Sequence, residues 1–281
     1  MFRLRLISFI FGLPLMLAVC YFDGWWLFAV VVALSGIGLG EWHKAVSLTA
    51  ARPNHWLSGG LIFSLLLGTQ IYLAREIPLN AFLVGLLTLA ATAAFVSRIF
   101  RKGGVSALSD IGATLLPVLY IGLLFSFSLR LRGEAWPWSP ISLGSLRVPP
   151  GSYFLVLLFL TCWGMDTVAY LCGRFIGGAK LCPSVSPGKT IAGLIGAIIT
   201  SAIFVGAGFW FCGLSPVVGV FLGGGMGIVS QLGDLSKSLI KREVGLKDFG
   251  SVFPGHGGVL DRFDGFLFTA PLLFYFLKAI L

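Results

Sequence analysis

IAGLIGAIITSAIFVGAGFWF, residues 191–211, runs for twenty-one residues without a charge. An α-helix rises about 1.5 Å per residue, so such a run spans the ~30 Å of hydrocarbon in a bilayer. A β-strand of a membrane barrel would alternate apolar and polar residues, and this stretch does not. Runs of similar length recur on both sides of it, near 6–22, 25–41, 56–74, 78–97, 111–129, 152–172, 215–233 and 265–281. The pattern predicts an all-α, polytopic integral membrane protein of about nine transmembrane helices.

Composition agrees. Of 281 residues 57% are hydrophobic and 11% charged, and the mean hydropathy is +0.96; soluble domains carry about 25% charged residues. The five cysteines form no C-x-x-C pair, so neither a disulfide framework nor a zinc site is expected. The net charge of +9 is read as loops facing anionic headgroups and membrane lipids, not as a nucleic-acid surface. Arg3 and Arg5 before the first run resemble a signal peptide, but a second apolar run follows at once, and a retained first helix is expected.

With the N-terminus inside, fifteen of the twenty Lys and Arg fall on inside segments and five on outside ones, which places the C-terminus outside. The loop at 130–151 divides the chain into a transmembrane scaffold, 1–150, and a catalytic region, 151–281. The first five spans carry almost no charge within the membrane, whereas the last four spans and their two inside loops carry nearly all residues capable of chemistry.

Asp166 lies inside an apolar run, where a carboxylate needs a partner, a cation or water; Tyr170 and Gly173 share its helical face. A hydrogen bond between packed helices is the plainer alternative. The next loop ends in Gly188-Lys189-Thr190, but a P-loop needs glycine at 183, where Pro183 stands, and no strand is predicted to lead into it. Ser186, Lys189 and Thr190 nonetheless precede a helix N-terminus, a place that favours anions. Residues 234–264 hold ten of the 31 charged residues. Asp234, Ser238, Lys241 and Arg242 lie on or near one helix face, PGHGG (254–258) flanks His256 with glycines, and Asp261 and Asp264 are three apart. On this topology Asp166, Asp234, Asp261 and Asp264 reach one depth from three helices. Hard oxygen ligands favour Mg²⁺, and the surrounding Lys and Arg suit polyphosphate, together describing phosphoryl or nucleotidyl transfer.

The stretch SLIKREVGLKDFGSVFPGHGGVLDRFD (238–264) resembles the signature of the phosphatidate cytidylyltransferases, also called CDP-diacylglycerol synthases. Its fixed elements are Ser238, Lys241, Arg242, Lys247, Asp248, His256, Gly257, Gly258, Asp261, Arg262 and Asp264. MDTVAYLCGR (165–174), LCPSVSPGKT (181–190) and QLGDLSKS (231–238) are also similar to this family. The resemblance implies conversion of CTP and phosphatidic acid to CDP-diacylglycerol and pyrophosphate, with Mg²⁺ and often K⁺. It further implies a homodimer in the bacterial inner membrane with its active site on the cytoplasmic face. Carried over, Asp234, Asp261 and Asp264 are metal ligands. Lys189, Lys241, Arg242, Lys247 and Arg262 contact phosphate or nucleotide. His256 acts as acid/base, binds phosphate or orients the glycine turn. Asp166, Tyr170, Ser186, Thr190, Ser238, Asp248, Gly257 and Gly258 line the substrates. The chain departs at Ile191-Ala192, where members have tryptophan and then Glu or Gln.

Two other classes compete. An ion-coupled transporter would bind a cation at Asp166 and Asp234 and unwind its helix at the glycine run Gly223–Gly225 and Gly227, although close helix packing also explains those glycines. A related nucleotidyltransferase would use another lipid-phosphate acceptor.

Overall fold

A computed structural model describes residues 17–22, 24–75, 79–100, 106–138, 141–143, 146–252 and 257–280. Among them seven helices are long and apolar enough to cross a membrane, and the protein is an all-α polytopic membrane protein. They are α1 (Gly24–Val46), α2 (His55–Ala74), α3 (Asn80–Ile99), α4 (Ala107–Gly133), α5 (Pro150–Phe175), α6 (Ile191–Phe211) and α7 (Pro216–Glu243). A four-residue helix α8 (Val259–Arg262) precedes α9 (Asp264–Ile280), whose 17 residues match the ninth expected span. The first expected span lies mostly outside the described residues. Two hairpins supply the strands seen among the described residues: β1 (Ile141–Leu143) with β2 (Leu146–Val148), and β3 (Lys180–Cys182) with β4 (Ser186–Thr190).

The chain forms two compact units, each discontinuous in sequence: Met1–Glu134 with Val244–Arg262, and Ala135–Glu243 with Phe263–Leu281. In the first, Asn54 caps α2 by accepting from the Leu57 N–H at 3.2 Å, and Ser106 caps α4 through Ser109. Pro117 has no N–H to donate, and α4 widens after it into a π-helical segment, Val118–Leu123, before resuming. Asp110 is buried in α4, where it accepts from the Arg52 backbone at 2.6 Å and pairs with Arg98 Nε at 2.9 Å. Arg132 donates to the carbonyls of Cys20, Tyr21 and Phe22, closing the end of the helical turn at 17–21.

In the second unit α6 and α7 pack backbone to backbone. Gly219, Gly223 and Gly227 repeat every four residues along α7, on one face of that helix. A Cβ at Gly219 would come within 2.8 Å of the Val205 carbonyl, one at Gly223 within 2.7 Å of Ala202 Cα, and one at Gly227 within 2.7 Å of Ile198 Cα. Small residues at four-residue spacing permit this approach in lipid, where dispersion contacts replace the hydrophobic drive. The helix runs unbroken through the glycines, so they serve packing; the unwinding expected of a transporter is absent from α7. Trp136, in the segment leading to β1, is buried against Phe154 and Phe274, with Lys278 Nζ 5.5 Å from its ring.

Candidate active site

Three elements of the second unit bring four charged side chains together. α7 carries Asp234 and, one turn on, Lys237; β4 supplies Lys189; the start of α9 supplies Asp264. Lys189 Nζ lies 2.9 Å from Asp234 Oδ2, and Lys237 Nζ lies 3.1 Å from Asp234 Oδ1. Lys237 also pairs with Asp264, so its ammonium bridges two carboxylates. Lys237 and Asp264 are each 6% exposed. Buried charges at this depth are tolerable because each has an opposite partner and further hydrogen bonds: Lys189 donates to the Gln231 carbonyl at 3.2 Å, and Asp264 Oδ1 accepts from the Gly265 N–H at 2.8 Å. Asp166, exposed on α5, is an electrostatic neighbour of Asp264, Asp234, Lys237 and Lys189.

Glycines allow the gathering. A Cβ on Gly233 would meet the Asp264 carbonyl at 2.9 Å and the Phe268 ring, and one on Gly265 would drive into Ser230 Oγ. α7 and α9 therefore touch at the point from which Lys237 and Asp264 project. Thr190 ends β4 and caps α6: its Oγ1 accepts from the Gly193 N–H at 3.1 Å. β3, directly before Pro183, corrects the expectation that no strand leads into this segment, while Pro183 still denies it a P-loop. Arg242 Nε donates to the Val185 carbonyl at 3.1 Å, tying α7 to the hairpin that carries Ser186 and Lys189. Tyr170 accepts from Arg174 at 3.1 Å on the exposed end of α5. Ser238 and Lys241 follow Lys237 along α7, both partly exposed.

The remaining signature residues belong to the first unit. Asp261 Oδ2 accepts from the N–H groups of Phe249, at 2.8 Å, and Gly258, at 3.1 Å. Gly257 has φ +86°, a left-handed conformation suited to glycine. Lys247, Asp248 and Arg262 are exposed, and His256 lies outside the described residues. Asp261 thus falls in a different compact unit from Asp234 and Asp264.

Two residues escaped the sequence reading. Lys237 had a signal, since three residues from Asp234 on a helix is neighbour spacing. Glu41, on α1, is, like Asp110, an acid that the apolar first half buries; it is 6% exposed and accepts from the Val259 N–H at 2.9 Å and the Leu260 N–H at 3.0 Å. Its signal was a carboxylate at the edge of an apolar run.

Among the described residues no group of three or more His, Cys, Asp or Glu side chains is close enough to hold a metal ion alone. The Asp234–Asp264 pair still suits Mg²⁺. It offers hard oxygens from two helices, a lysine ammonium already stands between them as a cation, and Mg²⁺ is commonly held by one or two carboxylates plus substrate phosphates.

A helical membrane protein with acids and lysines clustered at helix ends is the class that fold and site define. The model of the cytidylyltransferase family matches residues 3–280, and the chain belongs to that family. It is 30% identical over 295 residues to a Synechocystis protein named phosphatidate cytidylyltransferase, covering 99% of this chain and 97% of that one. Proteins of the same name from Staphylococcus aureus and Brucella melitensis are 39% identical over 166 residues and 43% identical over 162. Those two alignments span 58% and 57% of the relatives' lengths.

Proposed function

We propose that this chain is a CTP:phosphatidate cytidylyltransferase, forming CDP-diacylglycerol and pyrophosphate from CTP and phosphatidic acid for phospholipid synthesis. The observation that carries the reading is the cluster of Lys189, Asp234, Lys237 and Asp264, alternating acid and ammonium groups drawn from three elements. A phosphate of the lipid is already a nucleophile, so no covalent enzyme intermediate is needed. Its oxygen attacks the α-phosphorus of CTP in line, a new P–O bond forms, and the bond from the α-phosphorus to the bridging oxygen breaks to release pyrophosphate.

The protein positions the reactants and compensates charge. Asp234 and Asp264 would hold Mg²⁺, and Asp261 is a candidate ligand by the family signature alone. Bound Mg²⁺ supplies Lewis-acid polarisation of the phosphoryl oxygens. Lys189, Lys241, Lys247 and Arg262 bind the triphosphate and the lipid phosphate, while Arg242 holds the hairpin that presents Lys189. Thr190 fixes the start of α6, and Asp166 stands beside the cluster as a further carboxyl group. His256 orients the glycine turn or binds phosphate. K⁺ as a second cation, a homodimer, and a bacterial inner membrane with the site facing the cytoplasm rest on family resemblance, the bacterial relatives and the Lys/Arg bias.

The test is incorporation of α-labelled CTP into lipid by the purified protein. Label should enter lipid only when phosphatidic acid and Mg²⁺ are both present, with equimolar pyrophosphate. A folded protein that makes no labelled lipid, or makes it without phosphatidic acid, contradicts the reading.

A further inference from the structure

Glu41 and residues 258–260 are some two hundred residues apart in sequence and form one buried contact in the first unit. The two carboxylate oxygens divide between successive backbone donors: Oε1 accepts from Val259 and Oε2 from Leu260. Two charge-assisted bonds to adjacent N–H groups fix orientation as well as position. The contact is also tight. A Cβ on Gly258 or on Gly250 would run into the Glu41 carboxylate, so both glycines are shaped around it. Leu260 meanwhile packs against Gly38, one turn before Glu41 on α1, where an added Cβ would lie 3.1 Å from Leu260 Cδ2. The turn so held is the one in which the Gly258 N–H donates to Asp261.

We propose that Glu41 is a positioning residue for the reaction: α1 clamps the Gly257–Asp261 turn through this one carboxylate and thereby sets where Asp261 stands. The bareness of Gly258 then serves an internal acid of the scaffold, not the approach of a phosphate. The inference rests on the cytidylyltransferase reading for its kinetic consequence but not for its structural one.

The experiment uses the full-length protein in lipid nanodiscs, with wild type beside Glu41→Gln and Gly250→Ala. Glutamine keeps the size but presents an NH2 group to one of the two N–H donors. Gly250→Ala leaves Glu41 and the signature residues intact and pushes a methyl group into the carboxylate. Amide hydrogen exchange in peptides covering 257–262 should quicken by about tenfold in both variants, while exchange in α6 and α7 stays as in wild type. In the same samples kcat should fall about 10- to 100-fold, with KM for CTP changed by no more than about twofold. Unchanged local exchange, or quickened exchange with wild-type kcat, overturns the proposal. If Glu41→Gln quickens exchange throughout the chain, Gly250→Ala decides by the same two readouts. If wild type itself lacks CTP-dependent activity, the functional reading fails, and the exchange data alone still decide whether Glu41 holds the turn.

Discussion

Lys237 is the residue on which the charge balance of the site turns, because it is buried and pairs with both Asp234 and Asp264. Replacing it with methionine leaves Asp264 buried without its counter-ion, an error that costs about 3 kcal/mol or more. Lys237→Met should therefore lower the thermal unfolding midpoint in detergent, and millimolar Mg²⁺ should restore part of the loss while leaving wild type less affected. Thr190 is a smaller case. Thr190→Ala removes the cap of α6 and should cost about 1 kcal/mol, whereas Thr190→Ser, which keeps the hydroxyl, should melt close to wild type. Glu41 marks the limit of reading single residues. That it was an acid near an apolar run could be seen in the sequence; that it holds Val259 and Leu260 could not, because the pairing exists only once the chain folds back on α1.

At the scale of elements, α7 carries the scaffold and the chemistry on one continuous helix. Its N-terminal half is a glycine face against α6, and its C-terminal half bears Asp234, Lys237 and Arg242. The glycines differ in what surrounds them, and substitution should sort them. Gly223→Ala meets the Ser201 carbonyl and Ala202 backbone and should destabilise by about 1–3 kcal/mol. Gly225→Ala, where the nearest atom is 4.0 Å from the added carbon, should be neutral or stabilise by up to about 1 kcal/mol, since alanine favours helix. Thermal melts of the two variants check the pair. The helical spans were legible because length and lack of charge suffice to define them. The β3–β4 hairpin was not, because its residues, with Pro183, Ser184, Pro187 and Gly188, read locally as loop, and the pairing of Lys180 with Thr190 is a tertiary matter.

Across the whole molecule, the bias of Lys and Arg toward one set of loops predicts that the site faces the cytoplasm. A single cysteine at position 247, in an otherwise cysteine-free chain, should react with a membrane-impermeant maleimide in inside-out vesicles and stay protected in intact spheroplasts; the reverse pattern would invert the proposed topology. The signature at 238–264 was readable as one linear block, yet its residues divide between two compact units, with Asp261 in one and Asp264 in the other. Linear motifs record which residues act together and are silent about which bodies carry them. The central claim is that carboxylates of this block do the chemistry, and it is tested most directly by the turnover of Asp264→Asn in CDP-lipid formation. With wild-type folding verified by its melt, kcat should drop at least about 100-fold; turnover within a few-fold of wild type would contradict the assignment of the site.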